Sequence, residues 1–208
     1  DGSAVPALYA YSEALLPRPA DWPPEVHVTG TWFLDEGANW EPPEALRAFL
    51  AAGPPPIYVG FGSMGAAHGS TRAQTVLKAI ALTGERVVLA SGWGGLEVTA
   101  VPPNVFMLEA APHDWLFPRM KAVVHHGGAG STMAGLRAGK PTVVCPFFGD
   151  QPFWGQRVLQ SGVGPRPIPQ KSLTAAGLAR ARTIRLDRAR CRSEIDRFMP
   201  RRRSGWLW

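Results

Sequence analysis

Five short apolar runs recur along the chain: "IYVGF" (57–61), "RVVLA" (86–90), "NVFML" (104–108), "AVVHH" (122–126) and "PTVVCP" (141–146). Each is apolar along most of its length instead of alternating with polar residues, the pattern of a strand covered on both faces. Helical stretches separate most of them. "STRAQTVLKAIALTG" (70–84) reads as an amphipathic helix, with Thr71 and Gln74 spaced as a capping box and Gly84 as its stop. "PHDWLFPRM" (112–120) reads as a helical turn or short helix. "STMAGLRAG" (131–139) reads as a helix capped by Ser131 and closed by Gly139, and "QPFWGQRVLQSG" (151–162) as another. Strands and helices in series require a parallel, doubly wound α/β sheet of the Rossmann kind. "VGPRPI" (163–168) is expected as a short last strand, and "SLTAAGLARA" (172–181) as a helix capped by Ser172 or Thr174.

The flanks differ from this body. Residues 1–55 are proline-rich and irregular, with only "EALRAFLAAG" (44–53) helical, and are expected to be a lead-in that packs along the surface of something larger. Residues 56–182 form the folded domain, and 183–208 a basic, peripheral tail. The charge divides the same way. Residues 1–179 hold 12 Lys/Arg against 13 Asp/Glu, whereas residues 180–208 hold 10 Arg against 3 acids. A neutral body argues against a nucleic-acid-binding core, which needs a basic face of its own. The tail is expected to be solvated, with contact to an anionic membrane surface as the alternative. No apolar run approaches the roughly 18 residues of a membrane span. Cys145 and Cys191 lack ligand-like spacing and are read as reduced thiols of a cytoplasmic protein. No metal-ligand cluster is visible.

In an open parallel sheet, ligands bind beyond the carboxyl ends of the strands. Three unusual segments fall there: "GFGSMG" (60–65), "HHGGAGST" (125–132) and "FFGDQ" (147–151). The first has the letters of a dinucleotide fingerprint, but a further loop, "AAHGS", intervenes before its helix, and Glu85 precedes its strand instead of ending it. That leaves a glycine turn, or a phosphate contact from Ser63 and nearby amides. The second holds three glycines, with a fourth at Gly135 just beyond it, and leads into a helix whose free amides and positive dipole end suit phosphate. Alternation along the strand turns the two histidines to opposite faces. His126 is expected to face the ligand and His125 to make a buried hydrogen bond. In the third, Asp150 accepts and Gln151 both donates and accepts, a combination that can hold sugar hydroxyls. Asp150 is equally placed to cap the following helix.

The stretch "HHGGAGST…GLRAGKPTVVCPFFGDQPFWGQRV" resembles the nucleotide-sugar half of GT-B glycosyltransferases of the UDP-glucuronosyl/UDP-glucosyltransferase superfamily, nearest the sterol 3-beta-glucosyltransferase branch. "WPPEVHVTGTWFLD", "PPPIYVGFGSM", "RVVLASGWGGL" and "APHDWLFPRMKAVVHHGGAG" resemble that branch as well, so the likeness covers about residues 5–170. The resemblance implies that Ser63, His126, Ala129, Gly130 and Ser131 bind the donor diphosphate and that Asp150 and Gln151 hold the glucose hydroxyls. Ala110 and His113 would contact the uridine, with Trp93 nearby or packed against the sheet.

The resemblance further implies a donor-binding half that takes UDP-glucose or a related UDP-sugar as substrate, without cofactor or metal. Glucose would pass to a sterol or other lipid-like alcohol held by an amino-terminal half that also carries the catalytic base. Two departures stand out: the chain begins where the linker between halves would lie, and "RTIRLDRARCRSEIDRFMPRRRSGWLW" does not resemble the family's closing helices. The alternatives are a non-catalytic UDP-sugar-binding fragment and, from "GFGSMG", a nicotinamide-dependent oxidoreductase.

Overall fold

Strand β3, Ile57–Gly60, occupies the centre of a five-stranded parallel sheet in the computed structural model, which describes residues 5–62, 69–91 and 101–183. Its neighbours are β4 (Val87–Ala90) on one side and β6 (Ala122–His125) on the other; β5 (Val105–Leu108) and β7 (Thr142–Val144) form the edges. The continuous apolar runs are explained by what lies on each face. Val59, Val87, Leu89 and Val124 pack under α2 (Gly69–Thr83) and α6 (Ala175–Thr183). Tyr58, Val88, Leu108 and Val123 point the other way, onto α1 (Glu44–Ala51) and α3 (His113–Leu116). Each aliphatic side chain among these contributes about 1.5–3 kcal/mol by leaving water.

Chain order reverses between β3 and β6. The chain builds outward through β4 and β5, then crosses back to lay β6 on the far side of β3. Register aligns Gly60 with His125 and His125 with Val144, so three strands end level with one another at this switch point. From it emerge α4 (Ala129–Arg137) after β6 and α5 (Gln151–Gln160) after β7.

Several expectations are corrected. The helix α2 begins at Gly69, ahead of Thr71, so the 71/74 spacing does not mark its cap. Gly84 does end it, its amide bonding to the Ile80 carbonyl at 2.8 Å. The segment 163–168 forms no strand: Val163 accepts from Thr142 and Ile168 donates to Val144, but Pro165 and Pro167 have no amide to extend a ladder. Thr174, rather than Ser172, caps α6, accepting the Gly177 amide at 3.1 Å.

The lead-in is more ordered than its composition suggests. Two three-residue strands, β1 (Ala7–Tyr9) and β2 (Val26–Val28), pair in parallel. Tyr11 and Leu15 then bury against Met133, Leu136, Trp154 and Val158 of α4 and α5. The segment thus packs on this chain's own body. The tail from 184 onward, including Cys191, lies outside the described residues; Cys145 is free and buried.

Candidate functional site

The site is built around the end of β6. His125 is 1% exposed, and its Nδ1 accepts the amide of Gly127 at 2.9 Å. An accepting Nδ1 places the ring's proton on Nε2, which is sealed from solvent with no partner among the described residues. Burial, reinforced by His126 and His113, pulls its pKa down to about 3. His125 is therefore a neutral internal brace, and the buried hydrogen bond expected of it is present.

His126 turns the other way. A Cβ placed on Gly62 would stand 3.1 Å from its Cε1, and one on Gly128 would stand 2.6 Å from its Nε2. The ring thus lies where the loops leaving β3 and β6 meet. Its Nδ1 is closed to solvent and has no partner among the described residues. Burial lowers its pKa, and the Asp150 carboxylate opposes that shift. Ser63, Trp93 and the rest of "GFGSMG" beyond Gly62 lie outside the described residues.

The following helix corrects one expectation in an informative way. Helix α4 starts at Ala129, with Gly128 at the cap position and no side-chain cap bond. Ser131 therefore sits inside the first turn. Thr132 is bonded to the Gly128 carbonyl, so the amides of Ala129, Gly130 and Ser131 precede the helix's own ladder. A serine cap would have occupied one of them; glycine leaves all three available at the positive end of the helix. A side chain on Gly130 would meet nothing within 4 Å, so this turn opens outward, whereas Ala129 packs inward against the α4–α5 core.

A cleft of about 750 Å³ opens beside this turn, lined by Ala110, His113, Gly130 and Ala134 and closed opposite by Trp32 and Glu36 of the lead-in. His113 opens α3 and stacks on Phe117, with ring centroids 4.2 Å apart. Burial lowers its pKa against the pull of Asp114, and His126 lowers it further. A neutral ring can donate through one nitrogen and accept through the other, as recognition of a base edge requires.

Asp150 and Gln151 do not line that cleft; Asp150 lies close enough to His126 to act on its charge. Asp150 stands at the cap position of α5 without capping it; its Oδ2 accepts the Trp154 indole N–H at 2.8 Å. The carboxylate is thereby oriented, and the residue is exposed. Gln151 is 6% exposed, and its Oε1 accepts the amides of Phe147 (2.7 Å) and Phe148 (3.3 Å). The expectation that Gln151 both donates and accepts is corrected: its carbonyl is held by the loop, leaving only the NH₂. Gly127, at φ +96°, lies where the β6 and β7 loops meet. A Cβ there would meet Val144 Cγ1 at 2.5 Å and the Gln151 carbonyl oxygen at 3.1 Å, so only glycine allows the β6 and β7 loops to lie this close. Among the described residues, no three His, Cys, Asp or Glu side chains group as a metal site would need.

Sequence reasoning missed the far wall of the cleft, residues 32–40. The signals there were the likeness of "WPPEVHVTGTWFLD" to the glucosyltransferase branch and the aromatic and acidic run "WFLDEGANW", which no spacing rule ties to a site over seventy residues away.

The doubly wound parallel sheet, with an uncapped helix start and a cleft at its switch point, is a Rossmann-like fold, and it matches one half of solved GT-B glycosyltransferase structures. The glycotransferase of kitacinnamycin superposes with a TM-score of 0.74 at 23% identity, over 93% of this chain and 50% of that chain. Arabidopsis thaliana UGT89C1, solved with UDP, gives 0.58 at 20% identity, over 75% of this chain and 41% of that one. Residues 74–198 match the family of erythromycin biosynthesis protein CIII-like C-terminal domains, and the chain belongs to that family. It is 48% identical over 187 residues to the sterol 3-beta-glucosyltransferase UGT80A2 of Arabidopsis thaliana, covering 89% of this chain and 29% of that protein. The chain thus spans less than a third of that relative's length.

Proposed function

We propose that this chain is the donor-binding half of a UDP-dependent glycosyltransferase that moves glucose from UDP-glucose to a sterol or similar lipid-like alcohol. The observation that carries the reading is the meeting of Gly62, His126 and the uncapped start of α4 at the switch point, where Gly130 lines the cleft. A diphosphate set there takes hydrogen bonds from the amides of Ala129, Gly130 and Ser131, and from His126. Ser63 is assigned to the same group. The nucleoside extends along the cleft past Ala110 and His113, and the hexose extends past His126 toward Asp150 and the Gln151 NH₂.

The chemistry follows from charge. As the glycosidic bond breaks, negative charge collects on the leaving diphosphate. Donors fixed in advance at the positive end of a helix stabilise that charge without reorganising. The electron-poor anomeric carbon is then attacked by the acceptor oxygen, whose proton goes to a base assigned to an amino-terminal half outside these 208 residues. Attack from the face opposite the diphosphate inverts the anomeric centre. The support for the sugar and the acceptor is the likeness to a protein named a sterol 3-beta-glucosyltransferase and the fold shared with a UDP complex.

The chain's short span of that relative favours a second reading, a module that binds UDP-sugar and catalyses nothing alone. Calorimetric titration of this chain with UDP, UDP-glucose, other nucleotide sugars and NADH tests the donor site. Binding of UDP and UDP-glucose with indifference to NADH is expected; NADH binding with no UDP binding overturns the proposal. Glucose transfer only after an amino-terminal half is supplied fits the assignment of the base. Turnover by this chain alone contradicts it.

A further inference from the structure

The cleft wall supplied by the lead-in is held in place at several points. The Asp35 carboxylate bonds the Arg137 guanidinium at the end of α4, and that guanidinium also lies 4.5 Å from the centre of the Phe33 ring. The Gly37 amide donates to Asp114 Oδ2 at 2.8 Å. A side chain at Gly37 would press within 2.8 Å of Asp114 Oδ2 and Trp115 Cβ, so the close approach needs glycine. Trp32 donates its indole N–H to Thr29 at 2.9 Å, and Trp40 meets Trp115 edge to face at 4.9 Å.

Glu36 stands between two of these pins. Its backbone is fixed by Asp35 before it and Gly37 after it, yet its carboxylate bonds nothing among the described residues. Of the four charged side chains on the cleft, Asp35 and Arg137 hold each other and Asp114 holds Gly37, which leaves Glu36 as the carboxylate with both oxygens uncommitted among the described residues. The α4 wall opposite offers only glycine, alanine and the committed arginine. A carboxylate with two oxygens and no donors matches a vicinal diol, which has two donors a few ångströms apart.

Position along α4 decides which part of the ligand it meets. From Gly130 to Arg137 the helix rises about 10 Å at roughly 1.5 Å per residue. A carboxylate held near the Arg137 end therefore lies about a screening length from a diphosphate at the helix start, where repulsion is weak. At that remove from the diphosphate lies the nucleoside.

We infer that Glu36 accepts the vicinal hydroxyls of the donor's ribose, making this lead-in strap part of the nucleotide site and the site selective for ribonucleotides over 2′-deoxyribonucleotides. The inference rests on the donor reading above. Its test is calorimetric titration of the chain and of its Glu36→Ala and Glu36→Gln variants with UDP and 2′-deoxy-UDP; Glu36 is exposed, so both variants should fold. The unaltered chain should prefer UDP by about tenfold, the effect of one hydrogen bond to a charged group. Glu36→Ala should lose that preference by weakening UDP, which loses both hydroxyl contacts, about tenfold more than 2′-deoxy-UDP, which loses only the 3′-hydroxyl contact, and Glu36→Gln should fall between. UDP binding without ribose preference, or equal weakening of both ligands by Glu36→Ala, overturns the inference while sparing the donor reading. No UDP binding by the unaltered chain overturns both.

Discussion

The imidazole of His125 accepts the amide of Gly127, two residues on, at 2.9 Å inside the protein. This bond bends the chain at the end of β6, sets the ring of His126 between the two loops and brings Gly127 against the backbone of Gln151. A residue with no access to a ligand thus shapes the loop that the ligand would touch.

Replacing His125 by Phe keeps an aromatic ring but leaves the Gly127 amide buried and unpaired. The expected cost is about 1–3 kcal/mol in urea unfolding, with UDP affinity falling as the loop loosens. His125→Asn, which retains an acceptor, should lose less. Equal stability of the Phe variant and the unaltered chain would show that the bond contributes nothing.

His125 also sets a pH dependence. Its folded-state pKa is about 3, whereas an unfolded histidine titrates near 6.5. The unfolded chain therefore takes up a proton that the folded chain refuses, and stability is complete above about pH 6.5 and declines below it. The slope from this one group approaches about 1.4 kcal/mol per pH unit between the two pKa values. Unfolding midpoints followed from pH 7.5 to 5 should show the decline, and His125→Asn should flatten it; parallel curves would contradict the assignment.

Gly127→Ala should be among the most damaging small substitutions in the domain. The added methyl meets Val144 Cγ1 at 2.5 Å, and the residue must hold φ near +96°. Backbone strain and overpacking together are expected to cost about 2–4 kcal/mol, read as a lowered denaturation midpoint. A neutral result would mean that the β6 and β7 loops separate readily.

His126→Ala should weaken UDP binding by about 1–3 kcal/mol with little effect on folding. In the free protein burial lowers the His126 pKa; a bound diphosphate raises it by supplying negative charge. Affinity for UDP-glucose, whose diphosphate diester does not titrate in this range, should therefore rise as pH falls toward 5. Titrations of both proteins across pH 5–8 check this, and a pH-independent affinity in the unaltered chain would remove His126 from the diphosphate.

Asp150→Ala removes a carboxylate already aimed by Trp154. UDP should bind as before while the extra affinity for UDP-glucose over UDP disappears. Equal loss for both ligands would place Asp150 outside the hexose site.

The linear sequence determined the sheet, most of its helices and the ends of the strands at which ligands gather. Those features rest on local periodicity and on residues such as Gly84 and Thr174, whose effect reaches only a few positions along the chain. Tertiary structure alone decided the rest. It set Gly128 rather than Ser131 at the start of α4, tied up the Gln151 carbonyl with the amides of Phe147 and Phe148, and laid residues 32–40 across the cleft. Asp35 and Arg137 are 102 residues apart, and no pattern of spacing encodes their meeting. It arises only because burial of Tyr11, Leu15 and Leu46 lays the lead-in on the body, and that placement depends on the summed packing of the whole chain.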